Sequence, residues 1–190
     1  KIFIKKMKIL ITGGLGHIGS YLLENINKIK FIKKIYVIDN LSTNRYCSLF
    51  NLPKTDKKIY FYQNDLSLKN AIKNFKKVDV VINLASLTDA ESSLKIKNKI
   101  YKNNLGIFKN IIKYCKKNSS KLIHISSTSV YGDQKGLVDE TCEKLRPKSP
   151  YAEIKVKEEN ILKRNKNKIN FVSYRFGTIS GTSKGMRFHT

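Results

Sequence analysis

Thr12-Gly13-Gly14-Leu15-Gly16-His17-Ile18-Gly19 follows directly on the apolar run Lys8–Thr12 and opens a helical pattern over Gly16–Asn27. Glycines 13, 16 and 19 form a G-x-x-G-x-x-G string. Glycine is needed where a strand turns sharply into a helix and where backbone must approach another group closely. The helix behind such a turn points free N–H groups and its positive dipole end into the loop, a ready seat for a phosphate. A glycine string alone also makes plain turns. Its position between a strand and a helix is what makes it a dinucleotide-binding signal.

Outward from this loop, short Ile/Val-rich runs alternate with helical patterns, which argues for parallel βαβ units. Strands are read at Lys8–Thr12, Lys34–Asp39, Ile59–Gln63, Asp79–Leu84, Lys121–Ser126 and Ile169–Arg175. Helices are read at about Gly16–Asn27, Ser67–Phe75, Ser92–Lys117 and Tyr151–Arg164. The strands are nearly continuous apolar runs, as strands covered on both faces should be. The expected fold is α/β, a doubly wound parallel sheet (Rossmann fold), in one domain over residues 1–190. Such a sheet places its ligand at the carboxyl ends of the strands, near the reversal of strand order.

The cofactor site is read along those ends. Asp39 closes the second strand, twenty positions after Gly19. An acid there accepts hydrogen bonds from an adenosine ribose and repels a 2′-phosphate, which favours NAD over NADP. The alternative is a turn aspartate before Asn40, and Arg45 nearby leaves room for NADP. Asp65, after the third strand, can bond an adenine amino group or cap the next helix. Asn83-Leu84-Ala85 ends the fourth strand with small residues that let backbone pass close to a cofactor. The cofactor-binding set is thus Gly13, Gly16, His17, Ile18 and Gly19 in the loop, with Asp39 and Asn40, Asp65 and Leu66, and Leu84, Ala85 and Ser86 beyond it. Every one of these contacts precedes Gly181.

The chemistry is read further on. The fifth strand runs into Ser126-Ser127-Thr128-Ser129-Val130-Tyr131-Gly132, and Tyr151-Ala152-Glu153-Ile154-Lys155 opens a helix after Pro150. Residues at i and i+4 share a helix face, so Tyr151 and Lys155 can act together. A phenol titrates near 10 and is a poor base at neutral pH, and a neighbouring ammonium stabilises the phenolate. Ser127 can donate a hydrogen bond to a substrate oxygen that gains or loses carbonyl character. YxxxK by itself is equally a helix-surface pair in a Lys-rich chain. Its place after a serine cluster, in a chain with a dinucleotide loop, favours the catalytic reading. Tyr151 and Lys155 therefore also join the cofactor-binding set.

Taken together, these motifs resemble an extended short-chain dehydrogenase/reductase of the NAD-dependent epimerase/dehydratase family, from Met7 to Gly181. The resemblance rests on TGGLGHIGS at Thr12–Ser20, DNLS at Asp39–Ser42, NLA at Asn83–Ala85, SSTSVYG at Ser126–Gly132 and YAEIK at Tyr151–Lys155. It implies Tyr151 as catalytic base, Lys155 on the nicotinamide ribose, Ser127 on the substrate hydroxyl and Asn103 as a structural helix asparagine. It also implies a C-terminal substrate-binding region that is missing here, with 182–190 as its truncated start. Residues 1–6 read as sequence upstream of the true start, because Met7 directly precedes the first strand.

Departures narrow the reading. Sugar 4,6-dehydratases of the family carry an Asp-Glu pair where this chain has Thr128-Ser129, which argues against dehydration. Epimerases commonly carry R-Y-F-N where this chain has Arg175-Phe176-Gly177-Thr178, so Thr178 replaces a substrate-contacting asparagine. The expected function is an NAD-dependent epimerase or oxidoreductase acting on a nucleotide-sugar through a transient ketone. The alternatives are a net sugar reductase or dehydrogenase, and a non-catalytic NAD-binding fragment.

Composition sets the remaining bounds. The net charge of +24 comes from Lys and Arg numbering 38 against 14 acids. The excess is almost all Lys, spread evenly, so no nucleic-acid site is expected. Runs such as Val78–Ala85 are too short to span a bilayer, which needs about 20 apolar residues, so no membrane partner is expected. Cys47, Cys115 and Cys142 lack metal-ligand spacing and read as free thiols of a cytoplasmic protein. Scattered His17, His124 and His189 make no metal site. His124 alternates with apolar residues and reads as a core position, and the polar loop Asp133–Pro150 reads as a lid or a connector. The partners expected are the nucleotide-sugar and, as a candidate homodimer, a second copy of the chain.

Overall fold

Six of the apolar runs become parallel strands. The computed structural model describes residues 6–50, 52–88 and 97–186. Most of Lys1–Lys6, the expected helix start at Ser92 and His189 lie outside the described residues. In chain order the elements are β1 (Met7–Thr12), α1 (His17–Glu24), β2 (Ile32–Asp39), β3 (Lys58–Gln63), β4 (Val80–Asn83), α2 (Lys97–Asn118), β5 (Lys121–Ser127), α3 (Pro150–Arg164) and β6 (Phe171–Phe176). The sheet order is β3-β2-β1-β4-β5-β6, and all the pairings are parallel. The chain steps one way from β1 and the other way from β4. The reversal therefore falls between these two strands, where a doubly wound sheet opens its ligand crevice.

Alternate side chains of each strand feed opposite faces. Ile9 and Ile11 of β1, with Ile35 and Val37 of β2, pack under Leu23 of α1. Leu10, Tyr36, Ile38 and Val81 point the other way, onto Ile107, Phe108 and Ile111 of α2 and Leu162 of α3. A core on each face explains why the strands lack polar alternation. α3 begins where Ser149 Oγ accepts from Ala152 N at 3.2 Å, with Pro150 in the first turn. Both are favoured at a helix start.

The strand and helix bounds lie close to those expected, with one exception. The segment expected as a helix over Ser67–Phe75 is a chain of turns. Its backbone bonds run i to i+3, as in Ala71 N to Leu68 O at 3.2 Å and Phe75 N to Ile72 O at 3.2 Å. Asn70 sits at φ 62°, which no α-helix tolerates. Side chains from elsewhere take the carbonyls a helix would use. Asn110 Nδ2 donates to Leu66 O (2.9 Å) and Leu68 O (2.7 Å), and Asn64 Nδ2 to Ala71 O (2.9 Å).

Candidate functional site

A cleft of about 680 Å³ runs along the carboxyl ends of the strands. Its floor is the turn from β1 into α1. Gly13 has φ +63°, and a Cβ there would lie 2.7 Å from Ala85 Cα, so the glycine loop and the β4 end can meet only through glycine. Thr12 Oγ1 donates to Asn83 Oδ1 at 2.7 Å and fixes the two strand ends side by side. A Cβ on Gly19 would lie 2.5 Å from Gly14 O, so α1 can start only against bare backbone. His17 and Ile18 stand in the first turn of α1, whose leading N–H groups have no partner within the helix.

Asp39 does two things. It lines the cleft, and its carboxylate accepts from Leu15 N at 3.2 Å and Leu41 N at 3.0 Å. It thereby ties the end of β2 to the glycine loop. Asn40, Asp65, Leu66, Leu84, Ala85 and Ser86 also line the cleft. Asp65 Oδ1 accepts from Ser67 N at 2.8 Å, so it caps the turn segment while facing the cleft. The guanidinium of Arg45 lies over the loop, 3.5 Å from where a Gly16 Cβ would stand.

At the other end of the same cleft stand Ser127, Tyr151 and Lys155. Ser127 Oγ accepts from both Ser129 N (3.2 Å) and Ser129 Oγ (2.8 Å), so its own proton is left to be donated. Lys155 Nζ lies 5.6 Å from the centre of the Tyr151 ring. A second cavity of about 450 Å³ adjoins Ser127 and is lined by Thr128, Ser129, Asp133, Lys148 and Thr178 among others. Both ends of the Asp133–Pro150 loop therefore border this side of the site. Cys47, Cys115 and Cys142 are free thiols. Among the described residues no group of His, Cys, Asp and Glu could hold a metal, and no helix is long and apolar enough to cross a membrane.

Beneath the site is a buried polar layer that sequence reasoning did not mark. Lys155 Nζ donates to Glu158 Oε2 at 2.8 Å, with side chains only 5% and 2% exposed. Burial works against the ammonium, but Glu158, Tyr151 and Glu159 together outweigh it and hold Lys155 above its ordinary value. Next to it, Glu159 accepts from Arg175 Nε (3.0 Å) and Nη2 (2.8 Å) and from Ser126 Oγ (2.6 Å). Burial opposes its charge, yet the Arg175 fork and Ser126 keep it below the ordinary carboxylate range. The one visible signal was the adjacent acid pair Glu158-Glu159, one turn past Lys155 in a Lys-rich helix. The cleft also takes in Gly181 and Met186, beyond the contacts expected before Gly181.

His124 occupies the core, as expected. It is fully buried, its ring centre lies 4.8 Å from that of Phe108, and neither ring nitrogen has a hydrogen-bond partner. Nε2 lies 3.4 Å from Glu158 Oε2. Burial, and then the Lys155 charge, push His124 well below its usual value, so it is neutral and the contact is not an ion pair. The unfolded chain takes up this proton near pH 6.5 and the folded chain only at lower pH. The contribution of His124 to stability is therefore full above about pH 6.5 and is lost as the pH falls from there. Urea midpoints at pH 7.5 and 5.5 are expected to drop more for the wild type than for His124→Gln. Equal drops would contradict this.

The model of the NAD-dependent epimerase/dehydratase family matches residues 9–190. Among curated relatives, the UDP-glucose 4-epimerase of Yersinia enterocolitica is 33% identical over 165 residues, covering 83% of this chain and 48% of that protein. The dTDP-D-glucose 4,6-dehydratase of Dictyostelium discoideum is 32% identical over 181 residues, covering 85% of this chain and 40% of that protein. Among solved structures, the UDP-glucuronic acid 4-epimerase of Bacillus cereus in complex with NAD superposes with a TM-score of 0.78 at 29% identity, over 92% of this chain and 57% of that one. The UDP-N-acetylglucosamine 4-epimerase of Methanobrevibacter ruminantium M1 gives 0.79 at 29%, over 90% and 55%. The chain thus spans roughly half the length of these proteins.

Proposed function

Because the chain belongs to the NAD-dependent epimerase/dehydratase family, we propose that it carries the cofactor-binding and proton-transfer parts of an enzyme that epimerises a nucleotide-linked sugar. One observation supports this most. Ser127, Tyr151 and Lys155 open onto the same cleft as the glycine loop and Asp39. The cleft volume lies within the range of about 300–1,000 Å³ of small-molecule sites. Gly13 and Gly16 put bare backbone on the cleft lining, which suits a pyrophosphate, and Asp39 puts a carboxylate there, which suits the hydroxyls of a ribose. The residues present therefore fit NAD.

NAD, when bound, supplies a reversible hydride acceptor beside the sugar carbon. The chain's own residues supply the proton chemistry. Tyr151 takes the hydroxyl proton as the sugar oxygen becomes a ketone and returns it when the alcohol re-forms. Lys155 holds positive charge 5.6 Å from the centre of the Tyr151 ring, where it offsets negative charge that gathers on the phenol oxygen as the proton moves. Ser127, with both lone pairs engaged by Ser129, is left to donate to the sugar oxygen. Thr128 and Ser129 are hydroxyls where dehydration needs carboxyls, which supports epimerisation over loss of water. The free thiols suit a reducing cytoplasm, and the reading places the reaction in carbohydrate metabolism.

The gene product read to its natural stop, incubated with UDP- and dTDP-hexoses, tests this. The expected result is conversion of one ring epimer to another, followed by proton resonance, with no net change in reduced-cofactor absorbance. A stoichiometric absorbance change would overturn epimerisation in favour of net oxidoreduction. The 190-residue chain itself is expected to turn over far below the ordinary range of roughly 1–1,000 per second. The grip on the sugar is assigned to the half of the relatives that this chain does not span.

A further inference from the structure

The segment that leaves β6 does not turn away from the cleft. Gly177 to Gly181 line it, and Gly181 O lies 2.9 Å from His17 Nε2 in the first turn of α1. Four residues on, Gly185 N donates to Ser20 Oγ at 2.9 Å in a buried contact spanning 165 positions of sequence. Ser20 Oγ in turn donates to His17 O at 3.1 Å, so one hydroxyl joins this segment to the start of α1. The backbone of Gly185 rests directly on the glycine loop, where a Cβ would lie 2.2 Å from Leu15 O and 2.5 Å from Gly16 O. Lys184 extends the contact sideways. Its Nζ donates to Phe50 O at 2.9 Å, and its carbonyl accepts from Cys47 Sγ at 3.5 Å. Met186 then returns to the cleft wall.

We infer that Ser20 and Gly185, neither of which belongs to the cofactor-binding set, are positioning residues that clamp Gly181–Met186 onto the glycine loop as a strap, and that this strap governs how fast the dinucleotide leaves. The inference rests on the cleft being the NAD site. The strap starts at β6, on one edge of the sheet, and is fastened to α1 and to the 3₁₀ turn Tyr46–Leu49, on the far side of the reversal point. The cleft is therefore bordered by the glycine loop and by the chain that crosses to it. A ligand reaching from Asp39 to Lys155 would lie along the wall that Gly177–Gly181 and Met186 form. Ser20 and Gly185 do not themselves line the cleft; their buried bond holds the wall formed by Gly177–Gly181 and Met186 in place, and its opening lets that wall move away, so the strap affects both rates more than their ratio.

Stopped-flow displacement of bound NADH by excess NAD, on the 190-residue chain, tests the clamp. The variants are Ser20→Ala, which removes the hydroxyl, and Gly185→Val, which forces the strap off the loop. Both are expected to release NADH about tenfold faster than the wild type and to bind it faster, with a smaller change in affinity. Urea unfolding should leave their midpoints near that of the wild type, which separates loss of the clamp from general loosening. Binding with unchanged release in both variants would overturn the strap while leaving the cofactor reading intact. Absence of NADH binding by the folded wild type would overturn the cofactor reading and the strap with it.

Discussion

Tyr151→Phe, in the gene product read to its natural stop, is expected to lower nucleotide-sugar turnover by about 10²–10⁴-fold, the usual worth of a positioned acid–base group. The substitution removes one oxygen and leaves the ring in place. Tyr151 sits in the first turn of a helix fixed by Ser149 and Pro150, so its backbone has no reason to move. Lys155 keeps its bond to Glu158, so the charge beside the ring also remains. NAD affinity should change by less than a few-fold. The loss should fall on kcat rather than on KM, because the phenol oxygen acts as the ketone forms. A variant retaining more than a tenth of wild-type turnover would remove Tyr151 from its role.

Glu158→Ala is expected to destabilise the fold by about 3–5 kcal/mol, because it leaves the Lys155 ammonium buried without its partner. The same logic makes a second variant informative. Replacing both members of a buried pair by apolar residues is often neutral or stabilising. Lys155→Met with Glu158→Met should therefore recover most of the stability while remaining inactive. Urea unfolding of the three proteins measures both effects. A loss below about 1 kcal/mol for Glu158→Ala would mean that the pair is not closed in solution.

Local geometry made much of this legible in advance. The glycine loop could be read because a tight strand-to-helix turn demands glycine locally, as at Gly13 with φ +63° and at Gly19 against Gly14 O, although the approach of Gly13 to Ala85 is a long-range contact. Tyr151 and Lys155 could be paired because helical spacing fixes which side chains share a face. Asp39 could be placed because it ends a strand next to the loop. What escaped the sequence is held together across long separations. The turn segment after Asp65 has a helical pattern, but its carbonyls belong to Asn110, some forty positions away. Glu158 reads as a solvated acid until β5 brings His124 beside it and burial closes it onto Lys155. Ser20 ends the TGGLGHIGS stretch, but nothing in it points to Gly185, and their bond exists only because the chain from β6 crosses to α1.

On this reading the cleft along the strand ends holds NAD in preference to NADP. Calorimetric titration of NAD, and separately NADP, into the 190-residue chain tests it most directly. The prediction is saturable one-to-one binding of NAD, weaker binding of NADP, and a narrowing of that difference in Asp39→Ala. Folded protein that binds neither cofactor, or that binds NADP as tightly as NAD, would contradict it.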